Sequence, residues 1–76
     1  MIHHLKTWPE FFKAVFDGHK RFEIRKNDRN FQVGDRLVLH DYDPKNELYS
    51  GYSWDGEVTY ITDFEQKPGY VVMGIR

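Results

Sequence analysis

Lys20, Glu23 and Arg25 are the residues whose types and spacing offer chemistry, two cations and a carboxylate within six residues. In an extended segment Glu23 and Arg25 project from one face, and the four-carbon stem of Lys20 is long enough to reach over from the preceding loop. An arginine forks onto a phosphate or a base edge while a glutamate accepts from an exocyclic amine or ring N–H, which is how a pocket reads a nucleobase. The same set can do acid–base work, with Glu23 taking and returning a proton and Lys20 supporting developing negative charge. A third reading is structural, with Glu23 neutralising Arg21 and Arg25 along an exposed strand face.

The surroundings of this set are basic. Lys20, Arg21, Arg25, Lys26 and Arg29 fall within ten residues broken only by Glu23 and Asp28. Residues 1–36 hold eight Lys or Arg against five Asp or Glu, and residues 37–76 hold three against seven, so the halves differ in sign. A bound anion is expected at the cluster. The net charge of −1 argues against a polyanion binder that works through a whole-surface field.

Other chemistries lack a pattern. There is no cysteine, His3 and His4 are adjacent while His19 and His40 stand alone, and nothing resembles HExxH, so no metal or cofactor is expected. Ser50 and Ser53 lie in a polar stretch without a nucleophile elbow, and phosphate-loop glycine patterns are missing.

The elements that must position the set can be read along the chain. Thr7-Trp8-Pro9-Glu10 predicts a helix start, with Thr7 as cap and Glu10 completing a capping box. Trp8, Phe11, Phe12, Val15 and Phe16 share one helix face expected to pack on a sheet, and Gly18 supplies the stop. From Arg21 to Lys26 the alternation predicts a half-buried strand, Phe22 and Ile24 on one side and Arg21, Glu23 and Arg25 on the other. Residues 27–30 are turn chemistry, and Val33-Gly34-Asp35 reads as a tight turn feeding a strand over 36–42. Residues 43–46 form a loop, and 47–54 read as an irregular strand or hairpin arm reaching away from the core. Strands follow at 57–62 and 70–75, with a Lys67-Pro68-Gly69 turn between them. One early helix and four or five closely spaced strands predict a β-rich α+β fold, an antiparallel sheet curling into a small barrel with the helix against it.

A chain of 76 residues supports one domain, residues 1–76, and its six Phe, five Tyr and two Trp are expected to serve first as core. The absence of cysteine from so small a domain fits a reducing compartment. With no apolar run of signal-peptide or membrane-spanning length, a cytoplasmic protein without a membrane partner is expected.

The segment Gly18-His19-Lys20-Arg21-Phe22-Glu23-Ile24-Arg25 matches the GxKxxExR motif of the ASCH domain, a branch of the PUA-like superfamily, at every fixed position. Leu5 to Pro9, Phe22 to Arg29, Phe31 to Asp35, Val58 to Ile61 and Gly69 to Ile75 extend the likeness, and together they resemble small stand-alone ASCH-like proteins. The resemblance implies a PUA-like β-barrel whose cleft, between the helix and the motif strand, binds RNA or a modified base, with Lys20, Glu23 and Arg25 lining it. One ASCH-like group hydrolyses acylated cytidine through a motif Lys, a Thr three residues later and a distant Glu. Lys20 matches that pattern, but position 23 is Glu, and Glu57 and Glu65 are the late glutamates.

The expectation is therefore a module for RNA or a nucleotide. Arg25, Lys26 and Arg29 would meet phosphate, Lys20 and Glu23 would read a base, and Trp8, Tyr42 or Tyr52 would stack on it. The alternatives are a small amidohydrolase with Lys20 and Glu23 as acid–base pair, and a structural or protein-interaction domain.

Overall fold

The computed structural model describes all 76 residues. The element order is β1 (Ile2–Thr7), α1 (Pro9–Phe16), β2 (Phe22–Lys26), β3 (Arg36–Asp43), β4 (Leu48–Thr62) and β5 (Tyr70–Ile75). α1 starts where Pro9 occupies the first turn, a place that needs no proline N–H, and it ends at Asp17 before Gly18, whose φ of +82° suits a residue without a side chain. The predicted capping box does not form. Trp8 is the N-cap without a side-chain bond, because Thr7 is still the last residue of β1 and its hydroxyl is engaged elsewhere.

The five strands form one mixed sheet in the order β1-β3-β4-β5-β2. β1 runs parallel to β3, which corrects the all-antiparallel expectation, and the chain between them carries α1 across as a helical crossover. β1 itself was not foreseen, since its inward residues His3, Leu5 and Thr7 alternate polar with apolar and hide the period of two. β3 and β4 pair as a hairpin, one of the two readings open for residues 47–54, and the separate strand expected at 57–62 is the continuation of β4. Its turn spans residues 44–47, and residues 48–53 form the exposed arm.

β4 is shared along its length, its first part pairing with β3 and its last residues with β5. Register shifts between His40 and Tyr42, and between Val58 and Tyr60, bend the ladder at the two pairings. The two edge strands approach each other, but no main-chain ladder joins them, so the sheet is not closed into a barrel. Side chains span the seam instead. Arg25 Nη2 donates to the Lys6 carbonyl at 3.0 Å, and Arg29 Nη1 donates to the His4 carbonyl at 3.0 Å.

Leu5, Leu37, Leu39, Val58, Val71, Met73 and Ile75 line the inner face of the sheet, and Phe12, Val15 and Phe31 close over it. Only Phe12 and Val15 of the predicted helix face are buried; Trp8, Phe11 and Phe16 remain substantially exposed. The Val33-Gly34-Asp35 turn forms as expected, with Gly34 at φ +94° and the Asp35 N–H donating to the Gln32 carbonyl. The Asp35 carboxylate receives the buried His3 ring at 2.8 Å and the Gln32 N–H at 3.0 Å. The His3 bond is the main cause of a pKa below the usual carboxylate range, and burial opposes it.

Candidate functional site

The strand that carries the motif presents its faces in the opposite sense to the sequence expectation. Glu23 lies across from Met73 and Arg25 across from Val71 in the β2–β5 ladder, so both turn toward the interior. Phe22 and Ile24, expected in the core, are 44 % and 52 % exposed. Glu23, expected on the solvated face, is 3 % exposed. Leaving Phe22 and Ile24 half out of water's reach forgoes about 1 kcal/mol of burial each, judged against ~1.5–3 kcal/mol for a full side chain.

Glu23 is held by two cations. Lys20 Nζ donates to Oε1 at 2.7 Å and Arg25 Nε donates to Oε2 at 2.9 Å. Lys20 is fixed further by a 2.7 Å bond to the Phe22 carbonyl, and its ammonium sits 4.8 Å from the Phe22 ring centroid. Arg25 spends Nη2 on the Lys6 carbonyl and on the Thr7 hydroxyl at 3.2 Å. Lys20 thus keeps one N–H beyond these bonds and Arg25 keeps its Nη1 pair. Two cations against one carboxylate leave the group with a net positive charge.

These residues floor a cleft of about 570 Å³ between the start of α1 and the β2 edge. Trp8, Phe11, Phe22, Ile24 and Tyr70 supply its apolar walls, and Lys6 and Thr7 complete it from β1. Trp8 is 52 % exposed and stacks on Phe11 with ring planes 24° apart, which leaves an indole face available. A flat ligand with acceptor or anionic edges suits such a cleft: aromatic walls stack on its face while fixed N–H donors meet its edge.

The remaining predicted site residues are distributed differently. Arg29 lies across Arg25 in a second cleft with His4, Leu5, Lys6, His40 and Tyr49. Lys26 is exposed and lines neither cleft. Tyr42 lies under Lys6 Nζ at 4.6 Å and against Tyr49, and Tyr52 stands at the exposed arm beside Phe16, so neither lines the motif cleft. Sequence reading missed Phe11, Phe22, Ile24 and Tyr70 as cleft walls because large apolar residues default to core. No three His, Asp or Glu side chains converge as a metal site would require.

Residues 2–75 match the family described as "Domain of unknown function (DUF3850)". The chain belongs to this family. It is also 37 % identical over 62 residues to the "Uncharacterized 12.9 kDa protein in GpA 3'region" of Escherichia phage P2. That match covers 82 % of this chain and 55 % of the phage protein, so the chain spans about half the length of the curated relative it matches.

Proposed function

We propose that the Lys20–Glu23–Arg25 cleft binds a base of RNA or of a nucleotide. The observation that carries this reading is the inversion of β2, which buries a glutamate between two cations and exposes Phe22 and Ile24 in the same cleft. An ion pair kept for stability alone has little reason to displace two large apolar side chains, since a buried pair is at best comparable with hydrophobic packing. Rules of patterning broken at one place, with no compensating packing gain, point to a functional demand.

The ASCH likeness of the motif supports the same reading, and we take the open sheet as a PUA-like barrel whose seam is bridged by Arg25 and Arg29. A cytoplasmic setting accompanies it; no helix of the chain is long and apolar enough to cross a membrane. Binding is favoured over hydrolysis because position 23 lacks the threonine of the hydrolytic pattern and both Glu23 oxygens are already engaged by hydrogen bonds from Lys20 and Arg25. In this role Glu23 aligns Lys20 and Arg25, whose spare N–H groups meet carbonyl or ring-nitrogen acceptors of the base, while Trp8 stacks on its face.

The test is direct binding of short single-stranded RNAs and of a nucleotide panel. Affinity for RNA should fall with added salt and fall further in Arg25→Ala. Absence of binding by every RNA and nucleotide would overturn the reading. Turnover of acylated cytidine that is lost in Lys20→Ala would replace it with the hydrolytic one.

A further inference from the structure

The second cleft, of about 660 Å³, lies on the other side of Arg25 from the first and shares Lys6 and Arg25 with it. Its polar lining is His4, Lys6, Arg25, Arg29, His40 and Tyr49, with no carboxylate among them. Arg25 is compensated by Glu23, but neither Lys6 nor Arg29 is paired with an acidic group. Asp41, next to His40 on β3, has one buried oxygen without a partner and does not line the cleft. A field of uncompensated positive charge therefore faces this groove.

The donors in it are ordered. Arg29 is anchored through Nη1 to the His4 carbonyl, which ties its guanidinium to β1 and leaves its other N–H groups for a ligand. Lys6 rests on the Tyr42 ring, which steadies a side chain that otherwise moves freely. His4 Nδ1 and His40 Nε2 are 3.0 Å apart and share one hydrogen bond. In either tautomeric arrangement of two neutral rings, one outer nitrogen then carries a hydrogen and the other is bare. The pair contributes one free N–H without needing protonation.

We propose that this histidine cleft binds a phosphoryl group, and that it takes the phosphate of a nucleotide whose base occupies the neighbouring aromatic cleft. The second clause rests on the base-binding reading above; the first stands without it. Fixed guanidinium, ammonium and imidazole donors around a groove free of carboxylates suit a tetrahedral anion with several acceptor oxygens. The shared Lys6 and Arg25 make the two clefts neighbouring subsites, which a nucleoside would half fill and a nucleotide would fill.

The experiment compares inorganic phosphate, the four nucleosides and their 5′- and 3′-monophosphates by calorimetry on the intact chain. A nucleotide is expected to bind about tenfold or more tighter than its nucleoside, as a charge-assisted set of phosphate bonds provides. His40→Phe, which keeps a ring against Tyr49 but removes both nitrogens, and Arg29→Gln are each expected to bring nucleotide affinity down toward that of the nucleoside. Binding of inorganic phosphate that competes with nucleotides supports the site. Phosphate binding with no nucleoside or nucleotide preference sustains this cleft and removes the base reading. Equal affinity for nucleosides and nucleotides, or full phosphate advantage in both variants, overturns the proposal while leaving the base cleft standing.

Discussion

Replacing Glu23 by Gln tests whether the carboxylate holds Lys20 and Arg25 in place. The side chain is 4 % exposed, and its partners are 17 % and 24 % exposed, so the substitution strands two cations in a half-buried cleft. Removing one member of a fully buried pair costs about 3–5 kcal/mol; the water that reaches both cations brings the expected loss to about 2–3 kcal/mol. With an unfolding entropy of ~2.1 cal/mol/K per residue over 76 residues, each kcal/mol shifts Tm by about 6 °C, so Tm should fall by about 12–18 °C. Thermal and urea unfolding followed by circular dichroism measure it. Adding Lys20→Met should recover part of the loss, because the orphaned ammonium goes with it, and the pair of substitutions is then non-additive. A loss below about 0.5 kcal/mol for Glu23→Gln, or strict additivity in the double variant, would refute the idea that Glu23 organises the cations.

Three further outcomes follow from the geometry. Trp8→Ala removes a half-exposed ring, so stability should fall by only about 1–1.5 kcal/mol while base binding weakens by about 1–3 kcal/mol, a split readable by parallel unfolding and calorimetric titrations. Asp35 has a folded-state pKa shifted below its ordinary value of 3.8, so its contribution is fully present above that pH and disappears as pH falls through the lower folded value. Asp35→Asn should therefore flatten the acid limb of stability below about pH 4, and urea midpoints from pH 7 to pH 2 check it. A Cβ at Gly56 would run into the Trp54 ring and meet the Arg76 carbonyl at 2.8 Å, so Gly56→Ala should cost roughly 1–3 kcal/mol by overpacking, measured by denaturant unfolding.

The elements with strong local signals were legible in the sequence. α1, the turn at Gly34, the hairpin arm and the closing strand Tyr70–Ile75 follow from proline and glycine placement and from period-two patterns. β1 escaped because His3 and Thr7 are buried through partners remote in sequence, Asp35 and Arg25, and such partners leave no mark on local periodicity. The face of β2 was misassigned for a related reason. Hydrophobic alternation puts Phe22 and Ile24 inside, and only the convergence of Lys20, Arg25 and the cleft walls makes an inward Glu23 tolerable. Lys20, Glu23 and Arg25 were foreseen as a set, and the structure brings them together; Lys26, Tyr42 and Tyr52 were grouped with them by charge or ring type and stand apart from that cleft. The Arg25 and Arg29 bridges to β1 were hidden entirely, since carbonyl acceptors carry no sequence signal.

The central claim is that a base enters the cleft between Trp8 and the Lys20–Glu23–Arg25 group. The most direct measurement is a two-dimensional ¹H–¹⁵N spectrum of the labelled chain titrated with a short single-stranded RNA and with mononucleotides. The chain has two tryptophans, so their indole N–H signals serve as internal reporters, Trp8 at the cleft and Trp54 packed against the core. The account predicts that the Trp8 indole and the amides of Lys20, Phe22, Ile24 and Arg25 shift together and saturably while the Trp54 indole stays in place. Saturable shifts confined to the 48–53 arm, or an unmoved Trp8 signal with every ligand, would contradict it.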